Sequence, residues 1–353
     1  MGVPAIPPEL WEAIIHEIED KESLMACSLV ALVLRYPSQR ILLSSLTVTV
    51  SNCASACKLL SASPHVAQYL SRLTIESLHD VDVDEVYHDN LHQLLANLQN
   101  IRVCIMRGLW YPSWSPHHKF RFPERSIIPP LLSDFLGRQT LNELHLSDLV
   151  VSQMVLESFM ETVPTVSLCM VYLEGPKVPP TTTFISASRP AAVKSLTIVS
   201  GNVGGFLQQL SVRFPLVRHL SIQHRESDPA WVRNLIEGVS RTIEHLQFDC
   251  PSYTSCRPPP TLPYLPALRK LQFSFPDGIM ASATEGYISA ATATLSSIAP
   301  PQTTPALTDI VIKEWVDRRR IDMSLYSPFM STLELSFTSR DAPPRIHWFF
   351  CAF

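Results

Sequence analysis

One short pattern recurs along this chain and limits what it can fold into. In the stretch 141–146, LNELHL, apolar residues occupy the first, fourth and sixth positions, and similar stretches are centred on eleven residues. Those centres are Leu46, Leu73, Ile101, Leu144, Val166, Leu196, Leu220, Leu246, Leu271, Ile310 and Leu333. Eight of the ten intervals between successive centres are 22 to 30 residues long. One or two copies could arise by chance in a chain that is 46% hydrophobic, but eleven copies at a nearly constant interval indicate a repeat.

The alternation inside each copy predicts one short β-strand, whose apolar residues point into a core and whose intervening residues point outward. A single copy cannot bury its apolar side, so neighbouring copies must stack into a parallel sheet. The interval matches the leucine-rich-repeat period of roughly 20–29 residues. Apolar residues at helical spacing predict connecting helices over 53–60, 84–95, 130–136, 152–160, 203–212 and 228–239. We therefore expect an α/β leucine-rich-repeat solenoid over 46–353, a horseshoe of parallel strands with outer helices, and insertions near 104–127 and 275–305.

Composition restricts the function classes. The chain has 353 residues and a net charge of -4, with 28 Lys plus Arg against 32 Asp plus Glu, so no basic excess points to nucleic acid. Its eight cysteines are scattered rather than arranged as a disulfide framework. No secretory signal opens the sequence, and the longest apolar run is too short to span a membrane. These features predict a soluble protein of the cytoplasm or nucleus that does not bind membranes.

The first 45 residues do not follow the repeat and predict a small helical module. The stretch 6–10, IPPEL, begins an amphipathic helix, because a proline pair suits the first turn. Asp20 is predicted to begin a second helix. The stretch 35–37, RYP, is predicted to interrupt that helix and to leave a short third helix over 38–43.

Three stretches of this module, 6–11 (IPPELW), 23–30 (SLMACSLV) and 35–40 (RYPSQR), together resemble the F-box of fungal F-box and leucine-rich-repeat proteins. The resemblance extends over most of the chain through the repeat layout. It implies that the helices dock on a Skp-type adaptor of a cullin (SCF-type) ubiquitin ligase, while the repeats hold a target protein for ubiquitin-dependent degradation. The residues that would form or support the adaptor contact are Ile6, Pro7, Pro8, Leu10, Ile14, Leu24 and Leu29.

The module departs from that family at two positions. Ala31 and Leu34 stand where family members usually carry Cys and Trp. Leu34 cannot fill the volume of a tryptophan side chain, which predicts weaker adaptor docking. Two alternatives therefore stay open. Residues 1–45 could merely cap the solenoid, because an end repeat needs its apolar side covered. The chain could also be a repeat scaffold with a decayed F-box and no link to a ligase.

Candidate target-binding residues come from the strands and from one loop. The outward strand positions form polar rows, from which we select His145, His219, His245 and Lys270. The proline-rich loop 108–118 carries Trp110, Tyr111 and Trp114, and aromatic residues on loops are typical binding anchors.

Catalytic motifs are missing from the sequence. It contains no Gly-x-Ser-x-Gly elbow, no phosphate loop and no dinucleotide fingerprint, and its cysteine spacings do not suit zinc. We therefore expect no enzyme activity, no cofactor and no metal. A catalytic site on an insertion loop is the alternative from another functional class.

Overall fold

A computed structural model of the chain describes residues 7–76, 85–108, 126–128, 130–174, 191–201, 203–210, 214–223, 230–249, 258–259, 261–275, 281–316, 326–337 and 340–352. Two compact units divide the chain, Met1–Leu149 and Val150–Phe353. The predicted N-terminal module lies within the first unit and does not form a unit of its own. Strands and helices are interspersed along both units, so the protein has an α/β fold.

The first unit begins with three helices, α1 (Pro8–His16), α2 (Lys21–Val30) and α3 (Leu32–Leu42). The Asp20 carboxylate accepts hydrogen bonds from the backbone N–H groups of Glu22 and Ser23, which caps α2 as predicted. The predicted break at 35–37 is wrong. Ala31 adopts an extended conformation and separates α2 from α3, whereas Pro37 lies buried inside α3.

The rest of the first unit alternates strands with helices: β1 (Ser45–Val48), α4 (Cys53–Ala62), α5 (Pro64–Ala67), β2 (Arg72–Glu76), α6 (Glu85–Ala96), β3 (Val103–Arg107), β4 (Ser126–Ile127), α7 (Pro130–Arg138) and β5 (Glu143–Ser147). Strands β1, β2, β3 and β5 pair in parallel in that order. Leu46, Leu73, Cys104 and Leu144 share one register position.

The second unit continues this arrangement with β6, which begins at the unit boundary (Leu149–Val151), then α8 (Gln153–Thr162), β7 (Thr165–Leu173), β8 (Ser195–Gly201), α9 (Gly204–Leu210), β9 (His219–Gln223), α10 (Ala230–Val239), β10 (His245–Asp249), β11 (Lys270–Phe275), α11 (Ala281–Ile298), β12 (Asp309–Val316), α12 (Ser327–Phe337) and β13 (Arg345–Ala352). Strands β7 to β13 pair in parallel in sequence order. Their shared register position is occupied by Val166, Leu196, Leu220, Leu246, Leu271, Ile310 and Ile346.

Two of the eleven predicted strand centres are wrong. In β3 the residue equivalent to Leu73 is Cys104, three residues beyond the predicted Ile101. Leu333 lies in helix α12 and not in a strand, because Phe329, Leu333 and Phe337 are buried together on one helical face. The last strand is instead β13, where Ile346 pairs with Ile310.

The core of the second unit lies between its strands and helices and is rich in aromatic rings. Phe273 is fully buried, and its ring stacks on Phe248 with the centroids 5.9 Å apart and meets the edge of Phe329 at 6.1 Å. Helix α11, in the predicted insertion 275–305, joins this core. Its buried Tyr287 donates a hydrogen bond of 3.0 Å to the carbonyl oxygen of Phe248.

A buried arginine fixes the C-terminal end of α11. The Arg340 guanidinium donates to the carbonyl oxygens of Ile298 at 2.6 Å and of Thr304 at 3.0 Å. It also donates to the Thr304 hydroxyl at 2.9 Å. The bond to Ile298 satisfies a carbonyl group that the end of α11 leaves without an intrahelical partner, and the bonds to Thr304 tie the following loop to the same guanidinium.

One glycine is required by the backbone. Gly201, at the end of β8, has a φ of +93°, and a Cβ atom there would collide with the carbonyl oxygen of Val171 on β7. By contrast, a Cβ atom on Gly205 in α9 would meet nothing within 4 Å.

Candidate protein-interaction surfaces

Helices α1 to α3 leave many large apolar side chains in contact with solvent. The side chains, each at least 45% exposed, belong to Leu10, Ile14, Met25, Leu29, Val30, Leu32, Val33 and Tyr36. We call these eight residues the N-terminal apolar surface. Half of the sixteen large hydrophobic residues identified as exposed in the described chain lie within these three helices.

The exposed residues follow the helical period. Leu10 and Ile14 are one turn apart on α1, as are Met25 and Leu29 on α2, so each pair lies on one side of its helix. The helices bury other residues, because Ile15 is 1% and Leu24 is 4% exposed. The three helices therefore bury some apolar residues and leave others facing solvent.

The adaptor-contact residues that the F-box resemblance implied divide into three groups. Leu10, Ile14 and Leu29 are exposed and belong to the N-terminal apolar surface, and Pro7 is exposed beside it. Leu24 is buried, which suits a residue that supports the contact. Ile6 and the Pro8 side chain lie outside the described residues. Leu34, the position that departs from the family, is half-buried.

A second surface lies on the outward side of strands β9 to β12. His219 and His245 are in register on neighbouring strands, and their rings meet edge to face with centroids 5.8 Å apart. Lys270 follows in register on β11, about 4.8 Å further across the sheet. The structure thus brings together three of the predicted target-binding residues. We call His219, His245, Lys270, Gln272 and Lys313 the histidine-lysine surface.

Two polar side chains of this surface have buried nitrogen atoms that lack hydrogen-bond partners among the described residues. They are His245 Nε2 and Gln272 Nε2. Gln272 is only 1% exposed although it is polar and lies on the outward side of β11. Burying a polar group without a hydrogen bond costs free energy, so both atoms stand out as places where a ligand atom could bind.

The carboxylates of the same strands are already engaged. Asp249 accepts hydrogen bonds from Gln247 at 2.6 Å and from the Ser221 hydroxyl at 3.1 Å. On β12, Asp309 has its own three partners: Thr308 donates at 2.7 Å, His347 Nε2 lies at 3.0 Å, and Arg345 forms an ion pair at 3.0 Å. In that order, these partners lower the pKa of Asp309 to about 2.

The cations of the histidine-lysine surface are not neutralised in the same way. Neither Lys270 nor Lys313 forms an ion pair within the part of the chain that the structure describes. Burial lowers the pKa of His245 to about 4, and the positive charges of Lys270, His219 and Lys313 add to that effect. His245 is therefore neutral at pH 7 in a positively charged environment.

His145 is not part of this surface. It lies on β5 in the first unit, where its Nε2 is 3.4 Å from a Glu143 carboxylate oxygen. Trp110, Tyr111 and Trp114 lie outside the described residues. Sequence reasoning missed Lys313, although continuing the strand alternation two residues beyond Val311 would have found it.

Comparison of the chain with protein-family models finds no matching family, and comparison with curated proteins finds no match either. Across the described ranges, no three His, Cys, Asp or Glu side chains come close enough together to hold a metal ion. Of the helices that the structure describes, none is long and apolar enough to cross a membrane.

Proposed function

We propose that this chain is a non-enzymatic substrate-recognition adaptor of an SCF-type ubiquitin ligase. In this proposal helices α1 to α3 act as an F-box that docks on a Skp-type adaptor, and the strand-helix repeats form a leucine-rich-repeat solenoid that binds a target protein. The observation that carries the proposal is the N-terminal apolar surface, in the segment whose sequence resembles an F-box.

Apolar side chains that face water at this density favour a binding role. Large exposed apolar patches mark interaction sites or aggregation-prone surfaces. Burying one leucine or valine side chain contributes about 1.5–3 kcal/mol, so an adaptor that covered even half of the eight residues would gain substantial free energy.

The repeat register supports the solenoid part of the proposal. Successive register-equivalent residues at Leu196, Leu220, Leu246 and Leu271 are 24, 26 and 25 residues apart. These intervals lie within the leucine-rich-repeat period of roughly 20–29 residues. The mechanism would be positioning, because holding a target beside a ubiquitin-loaded enzyme raises the effective concentration of its lysines.

The test is a calorimetric titration of the full chain with a purified Skp-type adaptor. We expect binding by the wild type and at least tenfold weaker binding by the double variant Leu10→Ser, Leu29→Ser. Met154→Ser is the matched control, because Met154 is 82% exposed on α8, outside the N-terminal apolar surface. It should bind like the wild type. Leu34→Trp should bind more tightly, since it restores the bulk that the family carries at this position.

The second candidate function is a repeat scaffold without a ligase link, and the residues Ala31 and Leu34 favour it. The same titration separates the two functions. Absence of binding by both the wild type and Leu34→Trp, with circular dichroism showing both folded, would reject the ligase proposal and leave the scaffold.

A further inference from the structure

We propose that the histidine-lysine surface binds an acidic segment of the target protein, with Lys270 and Lys313 pairing with its carboxylates and Gln272 and His245 hydrogen-bonding to them. This inference rests on the proposed function only in that the repeats bind a target. It adds the chemistry of that target and the residues that recognise it.

The unpartnered atoms indicate a ligand that accepts hydrogen bonds. Gln272 Nε2 is a donor, and His245 Nε2 is a donor in one neutral tautomer and in the protonated ring. Both atoms are buried and have no partner among the described residues. A ligand oxygen that accepted from them would remove the cost of two unsatisfied polar groups.

The charges indicate that this acceptor is anionic. Two lysines lie on the surface without an ion pair in the described chain, whereas Asp249 and Asp309 on the same strands are engaged with other partners. Within the described residues these two lysines therefore have no paired carboxylate, and an anionic ligand would supply one. Charged hydrogen bonds of this kind are shorter and stronger than neutral ones.

The spacing of the lysines indicates a segment rather than a single small anion. Lys313 is in register with Ser274, four residues beyond Lys270 and one strand further across. The rise and spacing of strands place the two Cα atoms about 14 Å apart. Acidic residues four apart in an extended segment have about the same separation, so such a segment could pair with both lysines at once.

The experiment measures fluorescence anisotropy of a labelled ten-residue peptide with glutamate at every second position, titrated with the full chain. The comparison peptide carries glutamine at the same positions. We expect the glutamate peptide to bind at least tenfold more tightly, and the double variant Lys270→Gln, Lys313→Gln to lose at least tenfold in affinity. Gln272→Leu, which removes the amide donor, should lose at least threefold.

Lys194→Gln is the matched control, because it removes the same charge from an exposed residue just before β8 that is not part of the histidine-lysine surface. It should bind the glutamate peptide within twofold of the wild type. Equal binding of the two peptides would overturn the inference. So would equal weakening by Lys194→Gln and by the double variant, which would show non-specific attraction. Tight binding of a phosphoserine peptide without affinity for the glutamate peptide would also overturn it in favour of a phosphorylated partner.

The failure of this inference can be told apart from failure of the proposed function. The lysine double variant should titrate with the Skp-type adaptor like the wild type, and the Leu10→Ser, Leu29→Ser variant should bind the glutamate peptide like the wild type. Loss of peptide binding alone therefore concerns the target surface, and loss of adaptor binding alone concerns α1 to α3.

Discussion

Helix α10 buries its apolar residues, whereas helices α1 to α3 leave many of theirs exposed to solvent. In α10 the apolar residues Val232, Leu235, Ile236 and Val239 are all at most 3% exposed, because the strands and helices of the second unit cover them. In α1 to α3, Leu29, Val30 and Leu32 are each more than 75% exposed. An amphipathic helix is stabilised mainly by what covers its apolar side. The comparison shows that the N-terminal helices lack the cover that the strands and helices of the second unit supply to one another.

The largest expected effect on stability concerns the buried core of the second unit. Phe273→Ala removes a fully buried ring that contacts Phe248 and Phe329, and we expect it to lower the free energy of unfolding by about 3–5 kcal/mol. Phe349→Ala on β13, where the ring is 51% exposed, is the control and should cost about 1 kcal/mol or less. Urea denaturation followed by circular dichroism measures both. Equal losses of unfolding free energy for the two variants would show that burial of the side chain does not determine its contribution to stability.

Substitutions of two glycines test the packing of the second unit through its backbone. We expect Gly201→Ala to lower the free energy of unfolding by about 2–3 kcal/mol, because its positive φ and the nearby Val171 carbonyl leave no room for a methyl group. Gly205→Ala meets no atom within 4 Å and should be neutral or stabilising by up to about 1 kcal/mol. Thermal unfolding should therefore shift in opposite directions for two glycines that are four residues apart, and a shared direction would contradict this packing argument.

A smaller effect concerns the polar side of the second unit. The pKa of His245 in the folded protein is about 4, below its ordinary value of 6.5, because of burial and the electrostatic effects of Lys270, His219 and Lys313, with only Asp249 opposing them. The unfolded chain therefore binds more protons than the folded one, and stability falls as the pH drops from 6.5 towards 4. We expect His245→Asn to reduce that loss by on the order of 1–2 kcal/mol.

Denaturation midpoints of the wild type and His245→Asn at several pH values between 7 and 4 measure this effect. Parallel curves for the two proteins would show that His245 is not responsible for the acid sensitivity. A stability loss that began well above pH 6.5 would also require a different titrating group.

The smallest effect on stability tests the uncovered region. We expect Leu29→Ser to change the free energy of unfolding by less than about 0.5 kcal/mol, because its side chain is 80% exposed and already faces water. The same variant should self-associate less than the wild type, which sedimentation velocity at several concentrations would show. A loss of several kcal/mol would mean that the N-terminal apolar surface is covered within the chain itself.

The sequence predicts the strands correctly wherever only one stretch of residues fits the apolar pattern. Nine of the eleven predicted centres occupy the observed register. At β3 two overlapping stretches, 98–103 and 101–106, fit the apolar pattern. The second is harder to recognise because its centre is a cysteine. Cys104 is nonetheless fully buried and behaves as a small apolar residue. Only its pairing with Leu73 distinguishes the two patterns.

The sequence of helix α12 predicts a strand because short apolar runs fit both the strand and the helix period. The sequence around Leu333 contains apolar residues three and two apart, which is the strand pattern, but Phe329, Leu333 and Phe337 also recur at helical spacing. The helix buries those three residues and leaves Leu335 77% exposed. Such short runs cannot be assigned from periodicity alone.

The candidate surfaces were predictable in part. Strand alternation placed His219, His245 and Lys270 side by side, but it could not show which of their atoms lack a partner. The sequence could not predict the exposure of Leu29, because an apolar residue on an amphipathic helix is normally buried. It does not show whether another element covers that residue. Contacts between segments that are distant in sequence determine both which polar atoms have partners and which apolar side chains are covered.

The register of the second unit also has a consequence for how such a chain can change length. His219 and His245 occupy equivalent positions on adjacent strands and are 26 residues apart. Deleting residues 219–244 would join Arg218 to His245 and present β10 to β8 in the register that β9 now holds. Duplication of the same segment would add a strand without disturbing the others. A segment of 26 residues could therefore be lost or repeated in frame, and the number of paired strands in the second unit would change without a change in their register.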